Sequence, residues 1–188
     1  VNFAVLAPSS HNSQPWQFKV TENSISVFVE PSRRLLHSDI NDRQLYISLG
    51  CAIANIAVAA DYYGYTAKVQ YQNTEACAAI ISFVKSQPKI SEKNHLIFAI
   101  PKRTNNRNKY ESRLPDENFS ELIKSFNASD LRIDLISDVH KKNRIADIAI
   151  RAGIEAMEDE KFREELSQYV KNNLTKSKIG MPAFGMGI

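Results

Sequence analysis

Two short alternations open the pattern. Trp16, Phe18 and Val20 alternate with Gln17 and Lys19, and Ile25, Val27 and Val29 alternate with Ser26 and Phe28. Period-two runs on either side of Thr21-Glu22-Asn23-Ser24 predict a β-hairpin, and Pro31 ends its second strand. The period then lengthens. Asp39 and Asp42 stand at N-cap spacing, and Leu45, Leu49, Ala52, Ile53, Ile56, Ala60 and Tyr63 follow at helical intervals. Ile47, Ala54, Ala57 and Val58 fill the other faces, which predicts a buried helix packed on several sides. Gly64 supplies a left-handed stop. Strands are expected at Ala67 to Tyr71 and Ala78 to Val84, joined by a turn at Gln72-Asn73-Thr74-Glu75.

From Ser86 to Asn94 the chain is polar and contains Pro88, which marks an internal boundary. A short apolar run, Leu96 to Ile100, reaches Pro101 and a basic, Asn-rich stretch ending at Tyr110. Pro115 fits a first helical position, with Asp116 and Glu117 in the first turn, where the helix dipole favours acids. Phe119, Leu122, Ile123 and Phe126 form its apolar stripe. Leu131, Ile133 and Leu135 alternate as a strand. Asp138 caps a helix with Ile145, Ile148, Ala149 and Ala152 facing inward. A last charged helix is expected from about Glu155 to Asn173, with Phe162, Leu166, Tyr169 and Val170 on one side and its acids in solvent. Strands and helices without steady βαβ alternation predict the α+β class.

Composition narrows the function more than the fold. Hydrophobic residues make up 43% of the 188 and charged residues 24%, with a net charge of +3. The cations are interleaved with acids along the chain, so no nucleic-acid or membrane-surface footprint is expected. Neither a leader nor a membrane-spanning apolar run is expected from the sequence. Cys51 and Cys77 are read as buried thiols of a reducing, cytoplasmic compartment. His11, His37, His95 and His140 are scattered, with no metal spacing. Both ends read as interior phrases: Val1 to Ala7 as the tail of an apolar helix, and Gly180 to Ile188 as an unfinished segment, so missing ends are expected.

Two stretches carry candidate chemistry. Ala7-Pro8-Ser9-Ser10-His11-Asn12-Ser13-Gln14-Pro15-Trp16 sets short polar side chains between two prolines, which makes it a shaped loop. Ser9, Ser10 and His11 are adjacent, but adjacency does not give a hydrolase its base geometry, and no Gly-x-Ser-x-Gly elbow is present. Gly180, Gly185 and Gly187 do not fit the dinucleotide fingerprint. In Arg103-Thr104-Asn105-Asn106-Arg107, two Arg four apart can grip a phosphate while Asn holds nearby backbone or hydroxyls.

The segment Pro8-Ser9-Ser10-His11-Asn12-Ser13-Gln14-Pro15-Trp16 resembles the flavin-contacting loop of the nitroreductase family. Arg103, Asn105, Arg107, Tyr110 and Leu114-Pro115 are similar to the family's opening Arg-x-Ser-x-Arg segment, with Asn105 in place of the Ser. Ser48-Leu49-Gly50-Cys51-Ala52 through Gly64-Tyr65 resembles its central dimer helix. The resemblance implies a nitroreductase-like sheet with flanking helices. It also implies a tandem pseudo-dimer of two related halves, 1–92 and an incomplete 96–188. It implies one FMN, reduced by NAD(P)H, with a nitroaromatic, quinone or similar small-molecule electron acceptor. Pro8, Ser9, Ser10 and Asn12 would meet the ring and ribityl chain, Arg103 and Arg107 the phosphate, and Asn105 the uracil edge or ribityl. The flavin carries the hydride, so no side chain is expected to be catalytic. The oligomer would be a monomeric pseudo-dimer or a homodimer. The rival is a family member that has lost turnover and sequesters flavin, motivated by Asn105 and by the Met/Phe segment near Met181 to Met186.

Overall fold

The computed structural model describes residues 1–72, 74, 77–86, 95–105, 119, 121, 123 and 132–183. By its internal contacts the chain forms two compact units: Val1–Arg107 with Lys161–Ile188, and Asn108–Glu160. This division by compactness differs from the expected halves 1–92 and 96–188, which concern descent.

In the first unit, β1 (Trp16–Val20) and β2 (Ser24–Val29) form the expected hairpin, with Trp16 opposite Val29 and Phe18 opposite Val27. The Thr21 hydroxyl and N–H both bond at Ser24, which closes the turn. A second hairpin, β3 (Tyr65–Tyr71) and β4 (Cys77–Lys85), sets Val69 opposite Ile81. β4 also pairs with β2, so the antiparallel order is β1-β2-β4-β3. Ile25, Val27 and Val29 point to one face, where they meet Ala79 and Ile81.

That face is covered by α1 (Arg43–Tyr62), through Leu45, Leu49, Ala52, Ile53, Ile56 and Ala60. Contrary to the expectation of packing on several sides, Ile47 is 48% exposed and Ala54 is exposed as well. Within this unit α1 is one-sided. It also has the length and apolar composition to cross a membrane, which the sequence reading did not expect. Its inner face is nonetheless committed to the sheet. The Asp39 carboxylate accepts from Gln44 N at 2.9 Å and Leu45 N at 2.8 Å, so Asp39 satisfies two orphan donors of the first turn. Asp42, left-handed at φ 53°, makes no side-chain cap and pairs instead with Arg34. Gly64 takes φ 78° after the helix, the left-handed stop its position required.

Ahead of the sheet, Ala4–Leu6 is a single 3-10 turn rather than a helix tail, and the Asn55 amide of α1 donates to the Phe3 carbonyl at 2.9 Å. After it, Leu96–Ala99 (α2) is one helical turn leading to a 3-10 turn at Ile100–Lys102.

The second unit holds α3 (Val139–Glu158), whose first turn is capped as expected: Asp138 Oδ1 accepts from Lys141 N at 2.8 Å. Ile145 and Ile148 do not face inward here; each is about half exposed. Residues 132–138 have no regular structure where a strand was expected over 131–135, Leu131 itself lying outside the described residues. The expected stripe from Phe119 falls mostly outside them too, although 119, 121 and 123 are helical.

The last helix begins at Glu160 rather than at about Glu155 and ends at Tyr169 rather than Asn173, because 155–158 belong to α3. Asp159 is extended, at ψ 117°, and ends α3. A separate α4 (Glu160–Tyr169) runs into β5 (Val170–Lys171), which pairs in parallel with β6 (Met181–Pro182).

Candidate functional site

The loop between Ala7 and Trp16 is pinned at both ends by burial, Ala7 on one side and Pro15 and Trp16 on the other. Between them the backbone turns three times into the left-handed region, at His11 (φ 52°), Asn12 (φ 52°) and Gln14 (φ 51°). Non-glycine residues hold that conformation at a cost of about 1–3 kcal/mol each, so surrounding contacts must over-determine it.

They do. Asn12 N donates to the Ser9 carbonyl at 3.0 Å and Ser13 N to that of Ser10 at 2.9 Å. Gln14 N donates to Ser9 Oγ at 3.0 Å. Arg33 Nη1 donates to the Gln14 carbonyl at 2.9 Å. Beneath the loop only a void of about 10 Å³ separates Ser10 and Ser13 from Arg33, Asp39 and Ser48, too little for a ligand. A ligand must meet the loop from its outer side, where Pro8 is exposed and Ser9, Ser10, His11 and Asn12 are half-buried.

The far end of the unit closes on this loop. Asn12 Nδ2 donates to the carbonyls of Lys178 at 2.9 Å and Gly180 at 2.8 Å, and Gly180 N returns a bond to the Asn12 carbonyl at 3.0 Å. Gln14 Nε2 also donates to Lys178. The His11 ring stacks on Tyr169, with centroids 6.1 Å apart. One turn earlier in α4, Glu165 accepts from His37 N at 3.0 Å, Ser38 N at 2.9 Å and Ser38 Oγ at 2.6 Å. Burial pushes the Glu165 carboxyl up, but the Ser38 hydroxyl and the two backbone N–H groups together outweigh it and hold it below its usual value. Burial pushes the Tyr169 hydroxyl up, with the Glu165 charge adding to it.

Arg33, Glu165, Tyr169 and Gly180 are not among the site residues expected from sequence, where the acids of the last helix belong in solvent. Glu165 is only 8% exposed. Its spacing offered one signal: it lies four residues before Tyr169 and three after Phe162, on the edge of the expected apolar stripe. Gly180 sits at φ 90°, and a Cβ there would come 2.5 Å from the Tyr169 carbonyl. Gly180→Ala is therefore expected to undo the tail docking at a cost of about 1–2 kcal/mol or more. Faster amide exchange at Gly180, with the sheet amides unchanged, would be the sign of it; unaltered exchange would remove the constraint.

Of the other expected site residues, Arg103 follows the 3-10 turn in extended conformation and is exposed, its Nη1 donating to Asn105 Oδ1 at 2.8 Å. Arg107 lies outside the described residues. A hollow of about 560 Å³ elsewhere, lined by Phe3, Ile25, Ile56, Tyr63, Tyr65 and Phe83 among others, involves none of residues 8–14.

The α+β unit thus sets a bonded loop, left-handed at His11, Asn12 and Gln14, beside an antiparallel sheet. No protein-family model matches the chain. It is 28% identical over 185 residues to "Putative NAD(P)H nitroreductase Rv3131" of Mycobacterium tuberculosis strain H37Rv, which covers 97% of this chain and 53% of that protein. "Putative NAD(P)H nitroreductase acg" of the same strain is 33% identical over 70 residues, 37% of this chain and 21% of that protein. The first match supports the nitroreductase family. The chain spans about half the length of this relative.

Proposed function

We propose that this protein is an FMN-dependent oxidoreductase that takes hydride from NAD(P)H and passes it to a nitroaromatic, quinone or similar acceptor. The observation that carries the reading is the opening loop. Its sequence is of the nitroreductase kind, it lies within the stretch matched by a nitroreductase-named relative, and its backbone is held in one left-handed shape by bonds on both sides. A loop so over-determined suits a ligand-holding role, because the ordering cost is met before the ligand arrives.

The donor set fits a flavin. The Ser10 hydroxyl has no bonded partner among the described residues, and Asn12 spends its two amide hydrogens on the tail. The loop then offers the Ser10 hydroxyl and the Asn12 side-chain Oδ1, with Ser9 held as a scaffold and Pro8 as an apolar edge. Among the described residues Arg103 keeps four of its five N–H donors after bonding Asn105, enough to hold a phosphate, with Arg107, which lies outside those residues, as its proposed companion. Bound FMN would supply two-electron chemistry, and the protein would bind it, orient it and limit water. In this reading the chain is a tandem of related halves, 1–92 and 96–188, that share one flavin.

A second reading has the tail at 178–182 covering the loop, with flavin held but not turned over; the bonds from Asn12 and Gln14 to Lys178 and Gly180 favour it. Purified protein is expected to be yellow, to bleach with NAD(P)H and to regain colour with a nitroaromatic. A yellow protein that NAD(P)H leaves unbleached supports sequestration instead. A colourless protein that takes up no added FMN rejects both.

A further inference from the structure

Glu165 is a carboxylate recruited across 127 and 128 positions of sequence into a cradle of three donors. The cradle consists of two successive backbone N–H groups and one hydroxyl, the arrangement that backbone nests use to bind free anions. A carboxylate that is nine-tenths buried would be costly without such partners, so the cradle and the charge imply each other.

From Glu165 the contacts run directly to the opening loop. Tyr169 lies one turn further along the same face of α4 and stacks on His11. The chain leaves Tyr169 as β5, pairs with β6, and so presents Lys178 and Gly180 to Asn12 and Gln14. The stretch that forms the cradle holds the loop from the other side, through Arg33 and the Gln14 carbonyl. Residues 31–39 therefore grip both the loop and the segment that clamps it.

We infer that Glu165 is a positioning residue for the opening loop. As an internal anion in the His37–Ser38 cradle, it docks α4 and the 178–180 tail, and that docking keeps His11, Asn12 and Gln14 left-handed and the loop ready for ligand. The link from loop shape to flavin affinity rests on the proposed function; the link from Glu165 to loop shape does not. The cradle is by the same logic an anion site, and a small carboxylate should enter it once the Glu165 side chain is removed.

The test is amide exchange at Asn12, Ser13 and Gln14 in the whole chain, with Glu165→Ala and without flavin. Exchange at these three amides is expected to quicken about tenfold or more, equivalent to about 1.4 kcal/mol, while the strand amides of β2 and β4 hold their rates. Excess formate, filling the emptied cradle, should slow it again. FMN affinity, read by quenching of flavin fluorescence, should fall about tenfold in the same variant and recover with formate. Unchanged exchange at 12–14, equal quickening throughout the unit, or no response to formate in a folded variant would each overturn the inference. If Glu165→Ala does not fold, Glu165→Gln and Ser38→Ala are read by the same exchange criterion. Should native protein bind no FMN while the exchange and formate results are as expected, Glu165 keeps its positioning role and the flavin reading falls.

Discussion

Leu49→Ala is expected to lower the unfolding free energy by about 2–5 kcal/mol, the largest loss of any single substitution considered. Leu49 is 1% exposed and sits midway along the buried face of α1, between Leu45 and Ile53 and over the sheet residues Val27, Ala79 and Ile81. Truncation removes apolar area already out of water and leaves a void that close-packed neighbours fill only in part. Against a total stability of about 5–15 kcal/mol, such a loss moves the urea midpoint well outside error. The companion is Ile47→Ala, two positions away on the side of α1 that is 48% exposed. It should cost under about 1.5 kcal/mol, because little packing is lost there. Equal losses at the two positions would mean that α1 is buried on both sides, as its all-round apolar sequence first suggested.

That contrast shows what the sequence could tell about this fold. The β1–β2 hairpin was legible because Ile25, Val27 and Val29 keep a strict period of two, and a half-buried strand needs nothing else to be recognised. The α1 boundaries were legible from Asp39, Asp42 and Gly64, since orphan donors and a left-handed stop demand particular residues. Sheet order was not legible. Nothing in the period of β4 says that it pairs with β2 on one edge and β3 on the other, because partner choice lies in register and packing rather than in the strand itself. The break at Asp159 escaped for the opposite reason: no Pro or Gly marks it, and the charged sequence on both sides favours helix.

The site divides in the same manner. Pro8, Pro15 and the polar run between them announced a shaped loop, and the short side chains were compatible with left-handed turns. What holds that shape was hidden. Asn12 looked like a ligand residue, yet both its amide hydrogens go to main-chain carbonyls 166 and 168 positions away. Glu165 looked like one more acid on a solvated helix. Only the three donors at His37 and Ser38 give its charge a destination, and two of them are backbone groups that carry no sequence signature. Long-range bonds to backbone are the part of a site that reading along a chain misses.

Asp39→Ala is expected to cost about 2–3 kcal/mol and to fray the first turn of α1, whereas Asp42→Ala should cost under about 1 kcal/mol. In sequence the two acids were equivalent candidates for the same cap. In the structure Asp39 is 7% exposed, and its two oxygens each take one N–H, from Gln44 and Leu45, at the positive end of the helix. Removing it leaves one buried and one part-buried donor without this partner and takes an anion from where the dipole most favours it. Asp42 gives its carboxylate to Arg34 near the surface, where solvent screens the pair and the entropy of two long side chains opposes it. Asp39→Asn separates the two contributions, since it keeps one acceptor oxygen and loses the charge, and it should recover less than half of the loss. Amide exchange at Gln44 and Leu45 reads the fraying directly, with urea unfolding as the global measure. Because Asp39 also walls the small void beneath Ser10 and Ser13, exchange at Ser13 should rise with it, which ties the start of α1 to the floor of the loop. A larger loss at Asp42 than at Asp39 would reverse the assignment of the cap and with it that tie.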